Sequence, residues 1–237
     1  MSEYGEFTRL GTALVSDILD EAGYHNQTLD PSIAGVGQVA SFCGAAICVQ
    51  GQRRVNTVNP PADAATMPLY QLPMLVSGPA VLVLATNSFR GGAVTGGLLA
   101  EELRQAGCVA VVTDGLVRDL NELAATGLAV RAAGAIPLNG ARRFILTGWN
   151  MPVSLPTPEG GGVTIHPGDL ILGDMDGTVI VPQAVASQIL TMGRELERRE
   201  SRLRKDSMHL SAPERAAARA NRMSHVLWLR GQKEMAP

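Results

Sequence analysis

The residues best equipped for chemistry are Arg118 and Asp119, a cation and a carboxylate side by side, preceded by the glycine run Gly91, Gly92, Gly96 and Gly97. Glycines ahead of a helix let free backbone N–H groups approach an anion, and the helix N-terminus adds roughly half a positive charge. The amides near Gly97, Leu98 and Leu99 can therefore hold a carboxylate or phosphate. The run fits neither dinucleotide nor P-loop spacing, and a tight turn packed on a sheet accounts for the glycines equally well. Asp119 can bind a cation, or it can cap a helix with Glu122 as capping-box partner and Gly127 as the stop. Arg118 can be a substrate-holding guanidinium or an ordinary surface cation.

The elements that must position this pair follow from periodicity. Leu99, Leu103 and Ala106 recur at helical spacing until Gly107, and Val109 to Val112 form a short apolar run expected of a strand buried on both faces. Val81 to Ala85 is a similar strand running into the glycine loop, and Asp114-Gly115 turns the chain before Arg118. Glycine loop, helix, buried strand and charged pair thus form a unit whose loop and pair reach one sheet edge, where open α/β sheets bind ligands. Upstream, residues 8–22 predict one amphipathic helix stopped by Gly23, residues 33–49 predict short β runs, and residues 62–72 read as a helix. Downstream, strands are expected over 128–133, 135–138 and 178–181, with a proline-rich loop and hairpin between them. Asp169, Asp174 and Asp176 lack calcium-loop spacing and read as turn formers. A charged helix from Ala184 to Lys205 offers Glu195–Arg199 and Glu200–Arg204 pairs, and Ser211-Ala212-Pro213-Glu214 opens a last helix expected to run through Leu229.

The chain has 237 residues, 46% hydrophobic, with a net charge of −2. This suffices for one large α/β domain, residues 1–205, with a helical extension, 206–237, whose apolar end is expected to pack on another subunit. Near-neutral charge argues against general nucleic-acid binding. No apolar run reaches membrane-spanning length and no leader pattern opens the chain, so the cytoplasm is the expected location. Cys43, Cys48 and Cys108 lie among small or apolar residues and read as buried thiols, and the four histidines show no metal-ligand spacing. His166 reads as a turn residue.

The run Gly96-Gly97-Leu98-Leu99-Ala100 with Asp114-Gly115-Leu116-Val117-Arg118-Asp119 resembles the signature of the RraA-like family. That family includes divalent-metal pyruvate aldolases acting on 4-hydroxy-4-methyl-2-oxoglutarate and 4-carboxy-4-hydroxy-2-oxoadipate, and regulators of ribonuclease E. The segments Thr12–Asp20, Pro167–Asp169 and Gly173–Gly177 are similar to other family features, whereas 53–70 departs from its pattern. The resemblance implies a swivelling-domain type of α/β fold, a mixed sheet flanked by helices. It implies a lyase cleaving a C–C bond of a 2-oxo acid, as an aldolase or oxaloacetate-type decarboxylase. Asp119 would be the direct carboxylate ligand of Mg2+ or Mn2+, Arg118 the electrophile beside it, and Gly96, Gly97, Leu98 and Leu99 the substrate cradle.

The family's aldolases carry an acidic residue twenty-one positions before the arginine, where this chain has Gly97. The glycine implies a weakened metal site that Gly97→Glu is expected to restore, unless the backbone itself must lie close to the ligand. It also keeps open a non-catalytic protein-binding regulator, or another enzyme on the same scaffold. The resemblance further implies a homotrimer or homohexamer, with Glu200, or else Glu195, reaching a neighbour's site.

Overall fold

A computed structural model describes residues 2–37, 40–54 and 67–230. Three strands rich in Val, Leu and Ala, β2 (Phe42–Arg53), β3 (Ala80–Ala85) and β5 (Cys108–Thr113), lie parallel and adjacent, and β7 (Ala129–Ala132) extends them parallel to β5. Their continuous burial, Val81 to Leu84 and Ala110 to Val112 being fully inaccessible, matches a sheet covered on both faces. The edges are antiparallel. β1 (Ala34–Gly35) pairs with β7, β11 (Leu170–Gly173) pairs with β2 and with β12 (Thr178–Val181), and β8 (Phe144–Trp149) takes the far end of β2. The result is the expected mixed sheet, curled so that Thr28 bridges Val179. A hairpin of β9 (Val153–Pro156) and β10 (Gly162–Ile165) lays Leu155 and Ile165 onto Val81, Val83 and Cys48.

One face carries α1 (Glu3–Leu10), α2 (Thr12–Glu21) and α5 (Ala186–Asp206), which bury Phe7, Ile18, Leu19, Ile189 and Leu196 against Leu172 and Val181. The single helix expected over 8–22 is instead two. Gly11 sits at φ +81°, and Asp174 draws the N–H and hydroxyl of Thr12 out of any continuous helix. In place of the helix expected over 62–72, Leu69–Leu75 is a 3-10 segment, and residues 62–66 lie outside the described ones. The expected strand 135–138 is a single bridge, Ala135 to Val117.

α6 (Ala212–Ala220) opens on the predicted capping box but buries no residue and stops at Ala220. The chain then folds back on itself. Leu229 N–H donates to Ala22 O at 2.9 Å, His225 meets Met192 O at 2.9 Å, and the Trp228 ring lies against Gly23. The helix expected to run through Leu229 is thus shorter, and residues 223–230 rest partly on α2 and α5 of their own chain while Leu227 and Trp228 stay 65% and 56% exposed.

Candidate active site

The charged pair is positioned by a second, short parallel pairing. β4 (Ala93–Thr95) runs beside β6 (Leu116–Val117), and Arg118 N–H donates to Thr95 O at 3.0 Å. The turn ahead of β6 is fixed by buried Asp114. Its carboxylate accepts from Thr86 N–H and Ser88 N–H at 2.6 Å each and from the Thr86 hydroxyl at 2.9 Å, tying the end of β5 to the end of β3. α3 (Gly97–Gln105) starts immediately after β4 and is seated by Ala100 and Leu103, both fully buried. Burying a leucine is worth about 2 kcal/mol, so this anchoring holds the helix start rigidly against the sheet.

Gly96 is the N-cap of α3 and supplies no capping side chain, so the first amides of the helix have no partner within it. Gly97 N–H donates to Asp119 Oδ2 at 3.3 Å, and the same oxygen lies 3.3 Å from Arg118 Nε. Asp119 occupies the N-cap position of α4 (Leu120–Thr126), which ends at Gly127 as expected, yet its side chain makes no capping bond. It adopts the left-handed conformation, φ 59° and ψ 48°, unusual for a residue other than glycine and tolerated best by Asp and Asn. The capping-box alternative is thus set aside: the backbone turn aims the carboxylate at the start of α3 rather than at its own helix.

Around this pair lies a cleft of about 180 Å³ lined by Leu69, Tyr70, Thr95, Gly96, Leu98, Leu99, Glu102, Arg118, Asp119 and Asn139, among others. The Thr95 hydroxyl there is buried without a hydrogen-bond partner among the described residues. Arg118 and Asp119 are each about one-third exposed. The structure therefore gathers Arg118, Asp119, Gly96, Leu98 and Leu99 along one cleft. Tyr70, Thr95, Glu102 and Asn139, absent from the sequence reading, join them because strands and loops distant in sequence converge there.

Gly97 itself resolves differently from expectation. A side chain at 97 would point not into open space but into Glu122, whose Cβ would lie 2.6 Å from it and whose Oε2 would overlap it. The restoration expected of Gly97→Glu is therefore corrected: the space is already taken by a carboxylate-bearing side chain of α4. At Gly96 a Cβ would fall 2.7 Å from Asp119 Oδ2, so both glycines are needed for close approach.

Glu195 and Glu200 do not line the cleft. Both sit on α5. Glu195 is bonded by Arg198 and Arg199, whose hydrogen bonds hold its carboxyl down to about 2, and Glu200 is paired with Arg204 and Arg222. Among the described residues no group of three or more His, Cys, Asp and Glu could cage a metal ion. Asp119, partly exposed and weakly hydrogen-bonded, suits a hard cation that keeps much of its water shell, as Mg2+ does. The three cysteines are buried and free, with burial pushing the Cys43 and Cys48 thiols up to about 12, so none is poised as a nucleophile.

A family model, RraA-like (Aldolase/RraA), matches residues 12–180. A protein of Albidiferax ferrireducens provisionally named 4-hydroxy-4-methyl-2-oxoglutarate aldolase is 31% identical over 65% of this chain and 84% of its own. One of the same provisional name from Ectopseudomonas mendocina is 27% identical over 73% of this chain and 96% of its own. The fold is shared with Streptomyces coelicolor RraAS2, described as an unusual member of the RNase ES inhibitor RraA family. That structure is 22% identical with TM-score 0.72, covering 85% of this chain and 95% of that one. An uncharacterized Pseudomonas syringae protein superposes with TM-score 0.73 at 24% identity, covering 92% and 96%. Among the described residues no helix is long and apolar enough to cross a membrane.

Proposed function

The chain belongs to the RraA-like family, and on that premise we propose that it is a lyase cleaving a C–C bond of a 2-oxo acid, as an aldolase or an oxaloacetate-type decarboxylase. The observation that carries this reading is the convergence of Arg118, Asp119 and the uncapped start of α3 on one cleft. The provisional aldolase names of the relatives point the same way. The free amides of Leu98 and Leu99 would bind the substrate carboxylate at the positive end of the helix. The Arg118 guanidinium would lie against the 2-oxo oxygen, where its planar donor array meets the charge that develops as the bond breaks. For oxaloacetate, the C3–C4 electron pair passes into the 2-oxo group as CO2 leaves, and water returns a proton to C3 to give pyruvate. A divalent cation, Mg2+ or Mn2+, held by Asp119 with water and substrate, would supply Lewis-acid polarisation of the same oxygen. Val94 and Leu99 wall one side of the cleft and would limit the water around the reacting carbons. The Thr95 hydroxyl is a further donor for substrate.

The direct test is pyruvate release from oxaloacetate by Arg118→Lys. Lysine keeps the charge but not the fork of donors, so kcat/KM is expected to fall about 100-fold with the melting temperature unchanged. Near-normal turnover would remove the role given to Arg118.

Homotrimer or homohexamer assembly is part of the same proposal. Tyr70 and Leu98, 66% and 75% exposed, flank the cleft, an apolar rim suited to closure by a neighbouring subunit. Glu200 or Glu195 could reach a neighbour only by giving up arginine partners on its own chain. Light scattering at micromolar concentration is expected to find three or six chains, and a monomer would remove the proposal.

A further inference from the structure

Away from the cleft, four arginines converge. Arg53 ends β2 and Arg54 follows it, Arg142 and Arg143 precede β8, and together they line a depression of about 360 Å³ that shares no lining residue with the cleft. Strand pairing brings them together. Arg53 registers opposite Phe144, and Arg54 N–H donates to Arg143 O at 2.7 Å. Two of the four guanidiniums are held in place. Arg53 stacks over the Phe89 ring at 5.3 Å, with Phe89 in turn against Phe144, and Arg143 Nη1 donates to Asn139 O at 3.0 Å. The side chains of Arg54 and Arg142 have no hydrogen bond or ion pair among the described residues.

Elsewhere the chain treats arginine differently. Arg194, Arg198, Arg199 and Arg204 on α5 each pair with a glutamate. Among the described residues none of the four clustered arginines does. Unit charges 4 Å apart repel by about 1 kcal/mol even in water, so gathering four with no paired carboxylate among the described residues leaves a charge that an anion would neutralise. Guanidinium forks match carboxylate and phosphate oxygens in pairs, and a concave group of them, half of it fixed beforehand, suits a small ligand with several such oxygens.

We propose that Arg53, Arg54, Arg142 and Arg143 form a binding site for a small multivalent oxyanion, a phosphate compound or a polycarboxylate, separate from the cleft. The inference does not rest on the lyase reading. It is tested by calorimetric titration of the full chain with inorganic pyrophosphate and with citrate in roughly 0.1 M salt, acetate serving as the singly charged control. Binding of pyrophosphate or citrate at one site per chain is expected, and whichever binds more tightly identifies the phosphate or carboxylate source. Arg54→Ala with Arg142→Ala should weaken that binding about tenfold or more and leave the melting temperature unchanged, since neither side chain bonds to another of the described residues. The paired lysine replacements should also weaken it, by a smaller factor, because charge survives and the fork does not. No binding of either anion, binding unchanged in the double alanine variant, or binding of a single-stranded oligonucleotide alone would overturn the site.

Discussion

Two turns of this molecule present aspartates, and they treat the carboxylate in opposite ways. In the turn between β11 and β12, Asp174 accepts from Thr12 N–H at 2.8 Å, from the Thr12 hydroxyl at 2.6 Å and from Asp176 N–H at 3.0 Å. Burial, which raises its pKa, is outweighed by these bonds and by Arg131, so the carboxyl is held below its ordinary value. In the turn after β6, Asp119 has one long hydrogen bond from Gly97 and one loose ion pair with Arg118, on a left-handed backbone. The first carboxylate joins α2 to the late hairpin and has little capacity left for a ligand. The second keeps its lone pairs and is held in a costly conformation facing a cleft. Strain of that kind persists where the surrounding structure imposes it, and its coincidence with an open cleft separates a site from a fastening.

Breaking the fastening should have the larger effect on stability. Asp174→Ala strands the Thr12 N–H and hydroxyl and is expected to cost about 3 kcal/mol in chemical denaturation, with little change in kcat of the surviving folded fraction. A loss of activity without loss of stability would reverse the assignment of the two turns.

Gly97→Ala is next in size. Its Cβ must displace Glu122, at a cost of about 1–3 kcal/mol, and Gly97→Glu should be at least as harmful. The obstacle includes the Glu122 Cβ, which alanine would keep, so Gly97→Ala combined with Glu122→Gly is expected to be more stable than the sum of the single changes predicts. Strict additivity would show that the glycine is required for something other than Glu122.

The smallest effect is on acid stability. Because the folded pKa of Asp174 is depressed, the folded chain binds fewer protons than the unfolded one near pH 4. Its contribution is present above the ordinary value of 3.8 and is lost as pH falls below it. Between pH 5 and 3 the melting temperature of the wild type should therefore fall more steeply than that of Asp174→Asn. Parallel slopes would mean that the hydrogen bonds of Asp174 do not distinguish its charged form.

The contrast between the turns was only partly legible in the sequence. Apolar runs placed β3 and β5, helical spacing placed α3 and α5, and the Ser211 capping box and the Glu195–Arg199 and Glu200–Arg204 pairs form as expected, since each depends on neighbours within a few residues. Asp119 and Glu122 had capping-box spacing, and nothing local revealed that a left-handed residue would turn the carboxylate toward Gly97, some twenty residues earlier. The break at Gly11 depends on Asp174, more than 160 positions away. The arginine cluster depends on the pairing of β2 with β8, and the contact of Trp228 with Gly23 on a turn some two hundred residues earlier. Period and capping are local properties. Side-chain destination is set by tertiary approach.

Whether Asp119 is held open for chemistry rather than for the fold is decided by pyruvate release from oxaloacetate with and without added Mg2+ for the wild type and Asp119→Asn. Asparagine tolerates the same left-handed backbone and can still accept from Gly97 N–H, but it is a poor ligand for a hard cation. Mg2+-stimulated turnover is expected in the wild type, a loss of about 100-fold or more with no Mg2+ response in Asp119→Asn, and melting temperatures that agree within a few degrees. Equal turnover in the two proteins, or a collapse of stability in Asp119→Asn that accounts for its lost activity, would contradict the chemical role of Asp119.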